Sequence, residues 1–429
     1  VPGQRDSHFN VFHAYRGAAP DEAVRRRQLE DNLTRALGIV LVHLAHDGLA
    51  APILEQLGVD PPLREKPFTV GFQVAPSSLE SGMTPRWPKP EKRKLIAFLT
   101  DDRLADQVRD HASAPVTGSA RADMVLFWDN AALVIESELT PQPDVDQMER
   151  LRKAFSTTSE WQTTWGRLAH AARRVTPRDQ VAQFITTQFE EYLRMNGFGG
   201  FADEHFAYFA WSPERRRTEP VTKLGAQRAL RGLLDELRSR WGVQWQARIG
   251  KLGEKDRGLW GKLEPDGGTA PHLSVFISTN GLTIFANIET QGPFRQFRAA
   301  WRERRAELLA ILQELGDDFP HREKDPWIFA VHRRVQQTAP GTGKPLPRRF
   351  WDLPAFSVAA STLTNSPEIA ASVIDEALRL VDLGEPAPEI LIQRHYDVWQ
   401  AVSDTFVDSL VSDAQQLEPF FAWVGEKPR

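Results

Sequence analysis

The 429-residue chain contains no cysteine, which excludes disulfides and every metal site built on thiolates. It also lacks an apolar run long enough to span a bilayer. The nearest stretch, Leu37–Leu44, is short and interrupted by Gly38 and His43, so no membrane association is expected. No secretory signal is visible at the N-terminus, which makes the cytoplasm the default location. Nor does charge of one sign dominate: the formal net charge is −4, so any contact with nucleic acid would rest on a local basic patch rather than a global field. Internal repeats and low-complexity tails are missing too. What remains, 41% hydrophobic and 26% charged residues, is the composition of an ordinary globular protein, and the length suits two or three domains.

The most informative stretch is Arg121–Leu139, RADMVLFWDNAALVIESEL. Met124–Trp128 is an apolar run of strand-forming residues, Asp129-Asn130 is turn chemistry, and Leu133–Leu139 reads as a second strand. Side chains on a strand alternate faces, so Glu136 and Glu138 point one way and Ile135 and Ser137 the other. Antiparallel pairing about the turn brings Asp123 near the two glutamates. Three carboxylates converging at one sheet end repel one another unless a cation sits among them. The same acids also suit an exposed strand face, and the local pattern leaves both readings open.

Around this hairpin the chain reads as a mixture of helices and strands. A helix is expected from Asp21 on through LEDNLTRALGIVLVHLAHDGLAAPILEQLG, with Leu29, Leu33, Leu37, Val40, Leu41 and Leu44 on its buried face. Phe9, Val11 and Phe12 in the lead-in can dock on a core. Glu30 lies at the margin of the apolar face, either near a site or as a solvated first-turn carboxylate. Pro61–Pro90 reads as irregular, Leu95–Thr100 as a buried strand, and the following stretch through His111 as a charged helix or loop. Pro143–Phe155, Trp161–Val175 and Gln180–Asn196 read as helices. The Gly-rich Asn196–Phe201 is the expected domain boundary. Beyond it, strands are expected at His205–Trp211, Val243–Lys251, His272–Ser278 and Leu282–Glu289, the last two joined by a type I′ turn at Asn280-Gly281. A helix over Pro293–Leu315, a strand over Trp327–Arg334, a loop over Thr338–Arg349 and helices near Pro367–Leu383 and Tyr396–Gln416 complete the expectation.

Asp123 followed thirteen residues later by Glu136-Ser137-Glu138 resembles the PD-(D/E)xK nuclease superfamily. Arg121-Ala122-Asp123 is similar to that family's frequent Arg-Pro-Asp without its proline. Glu30 on the first helix and Gln147 on the helix after the hairpin match the acid and the glutamine that many members carry. Glu138 stands where the family usually has a lysine, a departure shared with some active restriction endonucleases and with degenerate members. The resemblance covers about residues 21–201 and implies an α/β fold, a restriction-endonuclease-like mixed sheet flanked by helices, over Val1–Gly200. An α+β domain that recognises substrate or partner would follow over Phe201–Arg429.

The resemblance further implies a Mg²⁺- or Mn²⁺-dependent endonuclease that hydrolyses DNA phosphodiester bonds, plausible in prokaryotic defence against foreign DNA. Glu30, Asp123 and Glu136 are then metal ligands, and Asp123, Glu136, Glu138 and Gln147 the catalytic set. Glu138 would accept a proton from the attacking water or help to hold a second metal. Gln147 would orient substrate or water, and Arg150, Arg152 and Lys153 are candidates for phosphate contact. The competing reading is an inactive nuclease fold serving as a nucleic-acid-binding or assembly subunit. In a third, residues 201–429 bind a regulatory ligand or protein partner that gates the nuclease. Oligomeric state is open, a homodimer included. The basic stretch Arg215–Arg257, with Trp241 and Trp245, suits either nucleic-acid binding or a core with solvated arginines. Pro340-Gly341-Thr342-Gly343-Lys344 is not a phosphate loop, since the upstream glycine is absent and Pro345 replaces Ser/Thr. His321 and His332 are not at metal-ligand spacing.

Overall fold

The structure is a computed structural model. It describes residue 12 and residues 22–45, 48–75, 93–100, 121–139, 145–157, 159–177, 179–218, 220–250, 252, 256–265, 271–317, 326–338, 343, 345–360, 371–372, 374–376, 378–379, 388–403 and 405–425. The stretch that follows Thr100 through His111, most of the loop before Pro345, and Phe9 and Val11 lie outside these residues, as does most of Pro367–Leu383. The chain divides into two compact units, Val1–Ala202 with Thr218–Gly232, and Asp203–Arg217 with Leu233–Arg429. Among the described residues no helix is long and apolar enough to cross a membrane.

The first unit is mixed α/β. Its helices are α1 (Glu22–Leu44), α2 (Ala51–Gln56), α3 (Pro61–Arg64), α4 (Val145–Phe155), α5 (Trp165–Arg173) and α6 (Gln180–Met195). The strands are β1 (Thr69–Val74), β2 (Arg93–Thr100), β3 (Ala122–Trp128), β4 (Ala131–Glu138) and β5 (Ser159–Thr164), in the spatial order β1-β3-β4-β2-β5. β1 and β4 both run antiparallel to β3, whereas β2 runs parallel to β4 and to β5. The central hairpin strands are buried on both faces, and residues of opposite parity feed two cores. Leu133, Ile135, Met124 and Leu126 pack with Leu33, Leu37 and Leu41 of α1 and with α5 and α6. Ala132, Val134, Val125 and Phe127 pack beneath Met148, Leu151 and Phe155 of α4. Phe12 docks on the α1 side, with its ring centroid 6.1 Å from that of Phe189.

Three expectations for this unit need correction. Pro61–Pro90 is not wholly irregular, because Thr69–Val74 forms edge strand β1. The expected long first helix stops at Leu44, and the chain resumes as α2 after Gly48, whose φ of 65° suits glycine. Helix α5 begins at Trp165 rather than Trp161: Ser159–Thr164 is claimed by pairing with β2. The Thr164 side chain then caps the helix by accepting from Arg167 N at 3.3 Å.

Among the described residues the second unit carries seven strands: β6 (Gln246–Ile249), β7 (Gly258–Glu264), β8 (His272–Ser278), β9 (Gly281–Ile288), β10 (Ile328–Thr338), β11 (Pro345–Ala359) and β12 (Glu389–Asp397). Their order is β11-β10-β12-β9-β8-β7-β6, with every neighbouring pair antiparallel. Among its helices are the long α7 (Gln291–Asp317), kinked at the non-helical Arg304, and α8 (Glu418–Val424), whose Trp423 ring lies 5.2 Å from Phe297 of α7.

Corrections here share a cause, tertiary packing overriding local propensity. The stretch expected as a strand over His205–Trp211 is helical through Ala210 (Asp203–Ala207, then a 3-10 turn over Tyr208–Ala210), and His205, Phe206, Tyr208 and Phe209 are all buried instead of alternating. Tyr396 belongs to β12, and helix starts only after Asp397, the N-cap of Val398–Ala401. Residues from Pro345 onward form β11 rather than a loop. The β8–β9 turn is not type I′: Ser278 faces Gly281, so Thr279 and Asn280 are central, and the positive φ (131°) falls on Gly281 instead.

Candidate functional site

The register of the first sheet gathers the acids. Met124 pairs with Ile135, which sets Asp123 beside Glu136 at the open end of the hairpin. Parallel pairing aligns Phe98 with Glu136 and Thr100 with Glu138, so β2 and β4 end together. By alternation from Val134 and Val125, Asp123, Glu136 and Glu138 share the face covered by α4. That helix is amphipathic: Met148, Leu151 and Phe155 anchor it to the sheet. Gln147, one residue before Met148, then reaches the acids.

The contacts are specific. Asp123 Oδ2 accepts from the Ser137 N–H at 3.0 Å, and Asp123 Oδ1 from Gln73 Nε2 at 3.3 Å. Glu136 Oε2 accepts from the Asp123 N–H at 3.3 Å, and Gln147 Nε2 donates to Glu136 Oε1. From α1, Glu30 Oε1 accepts from the Leu139 N–H at 2.7 Å, which fixes the glutamate at the tip of β4. All the residues expected at the site are thus brought to one end of one sheet.

Electrostatics at this end are unbalanced. Glu136 is only 3% exposed. Burial, then the negative charge of Asp123, push its carboxyl well above the usual carboxylate range, and Glu138 adds to the effect. Burial likewise raises Asp123 from 3.8 to about 6, with Asp31 and Glu138 contributing repulsion. Among the described residues, the groups donating to these two carboxylates are amide N–H groups without charge. Among the described residues the pair is therefore short of positive charge. No three His, Asp or Glu side chains among the described residues stand close enough together to hold a metal ion, so Glu30 is not gathered with Asp123 and Glu136 into one ligand set.

Some expected roles move. Gln147 touches Glu136 rather than standing free to meet a substrate. Arg152 is occupied by Glu160 at 2.7 Å and by Glu149, and lies over the Phe98 ring, while Lys153 pairs with Glu149 at 3.2 Å. Two residues were not found by sequence reasoning. Asp31 follows Glu30 on α1 and acts on Asp123 by charge. Gln73 comes from an edge strand inside a proline-rich stretch, and its only early signal was the alternating TVGFQV pattern.

In the second unit, Trp241 and Trp245 are core residues. They are 7% and 3% exposed and pack edge-on at 5.3 Å, with the Trp245 ring 5.2 Å from Phe421. Arg216 is buried too, donating to Phe209 O and Asp256 O. These side chains are thus unavailable for stacking on bases. His332 lies 3.6 Å from Glu389.

No family model matches the sequence, and no curated protein matches it either.

Proposed function

We propose that the first unit is a divalent-cation-dependent nuclease acting on DNA, with Asp123 and Glu136 as its principal metal ligands. One observation carries this reading: at the end of a mixed sheet the buried carboxylate of Glu136 stands beside the half-buried one of Asp123, both held among the described residues by neutral donors, with Asp123 repelling Glu136. Among the described residues no cation donates to either carboxylate, and carboxylate oxygens are the donors that Mg²⁺ and Mn²⁺ take. Glu30 stands at the tip of the same strand. When bound, the cation would neutralise charge on the phosphate under attack and lower the pKa of a bound water.

The chain's own residues supply the rest. Asp123 and Glu136 present oxygens on one face of the sheet, with Ser137 N–H fixing the first and Gln147 the second. Glu138, one turn of alternation further along β4, is the base for the attacking water at the position where the resembled family has lysine. Service against foreign DNA is the biological setting that the resemblance implies, and residues of the second unit are the candidate selector of substrate or partner.

The test is cleavage of plasmid and linear DNA in Mg²⁺ and in Mn²⁺ by the full chain and by Glu136→Gln. Wild type is expected to cut, and the variant to lose at least 100-fold in rate, on the order of 3 kcal/mol in the barrier. Equal behaviour of the two proteins in both metals would reject the enzyme. DNA binding without cutting would favour the inactive nuclease-fold reading.

A further inference from the structure

Gln73 occupies the left-handed region, with φ 52°, where residues other than glycine, asparagine and aspartate are uncommon because Cβ crowds the carbonyl oxygen. The strain falls on edge strand β1, beside the candidate site. Pairing of β1 with β3 lapses at this residue: Phe72 pairs with Met124 and Val74 with Ala122, and the pair between them is missing. The facing of the strand changes as well. Val70 packs with the α1-side core and the Phe72 ring lies against Gly38, yet Val74 joins the core beneath α4. Gln73 is itself exposed, so no burial of its side chain accounts for the strain. What the conformation achieves is to send Nε2 to Asp123 Oδ1, 50 residues away in sequence.

We propose that Gln73 is a positioning residue that presets the Asp123 carboxylate for a divalent cation, an inference that rests on reading Asp123 and Glu136 as cation ligands. Asp123 is gripped at both oxygens, Oδ1 by Gln73 and Oδ2 by the Ser137 N–H. Each oxygen keeps a second lone pair, so the carboxylate plane is fixed while coordination capacity remains. A lysine or arginine at this position would supply the very charge that the cation brings and would compete with it. An amide orients without neutralising. Gln147 does the same for Glu136 from α4, so each of the two carboxylates is held by its own glutamine. Backbone strain of this kind persists where its surroundings hold it in place, and it concentrates at functional sites.

Glycine and alanine at position 73 separate the amide from the strain. Both remove the side-chain donor, but only glycine accepts the positive φ without strain. The measurements are Mn²⁺ affinity by titration calorimetry and the melting temperature of the metal-free protein. The full chain is compared as wild type, Gln73→Gly, Gln73→Ala and Glu136→Gln. Both position-73 variants are expected to bind Mn²⁺ about ten-fold more weakly than wild type, while metal-free Gln73→Gly melts no lower than wild type and above Gln73→Ala. Affinity that follows the melting temperature, or wild-type affinity in both variants, overturns the positioning role while leaving the ligand reading intact. If wild type binds no Mn²⁺, or Glu136→Gln binds it equally well, the ligand reading itself fails and the role of Gln73 falls with it.

Discussion

At the scale of single residues, the Asp123–Glu136 pair makes the metal-free protein less stable as pH rises. A carboxyl whose folded pKa lies above its unfolded value adds stability that is fully present below the unfolded pKa and is lost as pH rises through the folded pKa. For Asp123 that window runs from 3.8 to about 6. Asp123→Asn removes the ionisation and keeps an oxygen for the Ser137 N–H. It is therefore expected to stabilise the metal-free protein at pH 7.5 by roughly 1–2 kcal/mol and by much less at pH 4. Urea denaturation at the two pH values checks this, and a lower midpoint for the variant at pH 7.5 would contradict it. Cation binding should offset the same repulsion in wild type. Mn²⁺ at about 100 times its Kd should add roughly 2.7 kcal/mol of stability, measured as a rise in melting temperature that Glu136→Gln fails to show.

At the scale of elements, positions where two strands meet closely leave no room for change. Gly281 closes the β8–β9 turn with φ 131°, and a Cβ built there would lie 2.0 Å from the Tyr396 carbonyl oxygen of β12. A backbone atom in a paired strand cannot step aside. Gly281→Ala is thus expected to cost at least 2 kcal/mol, more than backbone strain alone, since clash and strain add; a chemical-denaturation midpoint unchanged from wild type would refute this. Helix α4 shows how an element delivers chemistry. Its Leu151 is 1% exposed beneath the sheet face that carries the acids. Leu151→Ala should cost 2–5 kcal/mol by leaving a cavity, and it should also loosen the aim of Gln147 at Glu136. Mn²⁺ affinity of the folded variant reports the second effect, with wild-type affinity counting against it.

At the scale of the whole molecule, the first compact unit is not a continuous stretch of chain. Thr218–Gly232 belongs to it, and the helix Pro220–Trp241 supplies most of that segment. The reason is visible at Gly197, where φ is 84° and a Cβ would lie 2.2 Å from the Gly225 carbonyl oxygen. Next to it, the Arg228 guanidinium sits 5.5 Å from the centre of the Phe198 ring, with Arg228 only 8% exposed. A fragment ending at Gly200 lacks this packing and leaves Phe198 uncovered. It is expected to unfold at a lower urea concentration than the same unit in the full chain, followed by the fluorescence of Trp128 and Trp165; equal midpoints would show that 218–232 contributes nothing.

Local chemistry alone determined a good deal. Apolar runs bounded by turn residues marked β2, β3, β4, β8 and β9, and helical spacing of leucines marked α1. Alternation along β4 placed Glu136 and Glu138 on one face before any partner strand was known. Each of these follows from properties within about ten residues. Tertiary structure decided the remainder. Strand order set β2 between β4 and β5, which turned Trp161 from an expected helix residue into a strand residue. Burial of His205, Phe206, Tyr208 and Phe209 together made His205–Ala210 helical despite its aromatic composition. Asp31 and Gln73 reached Asp123 only because α1 and β1 were folded against the hairpin, and no local pattern encodes an approach across 50 residues, as for Gln73, or more, as for Asp31. The acids were legible because their spacing is local. What holds and perturbs them was not, because desolvation and mutual repulsion arise only once separate elements exclude water from the same place.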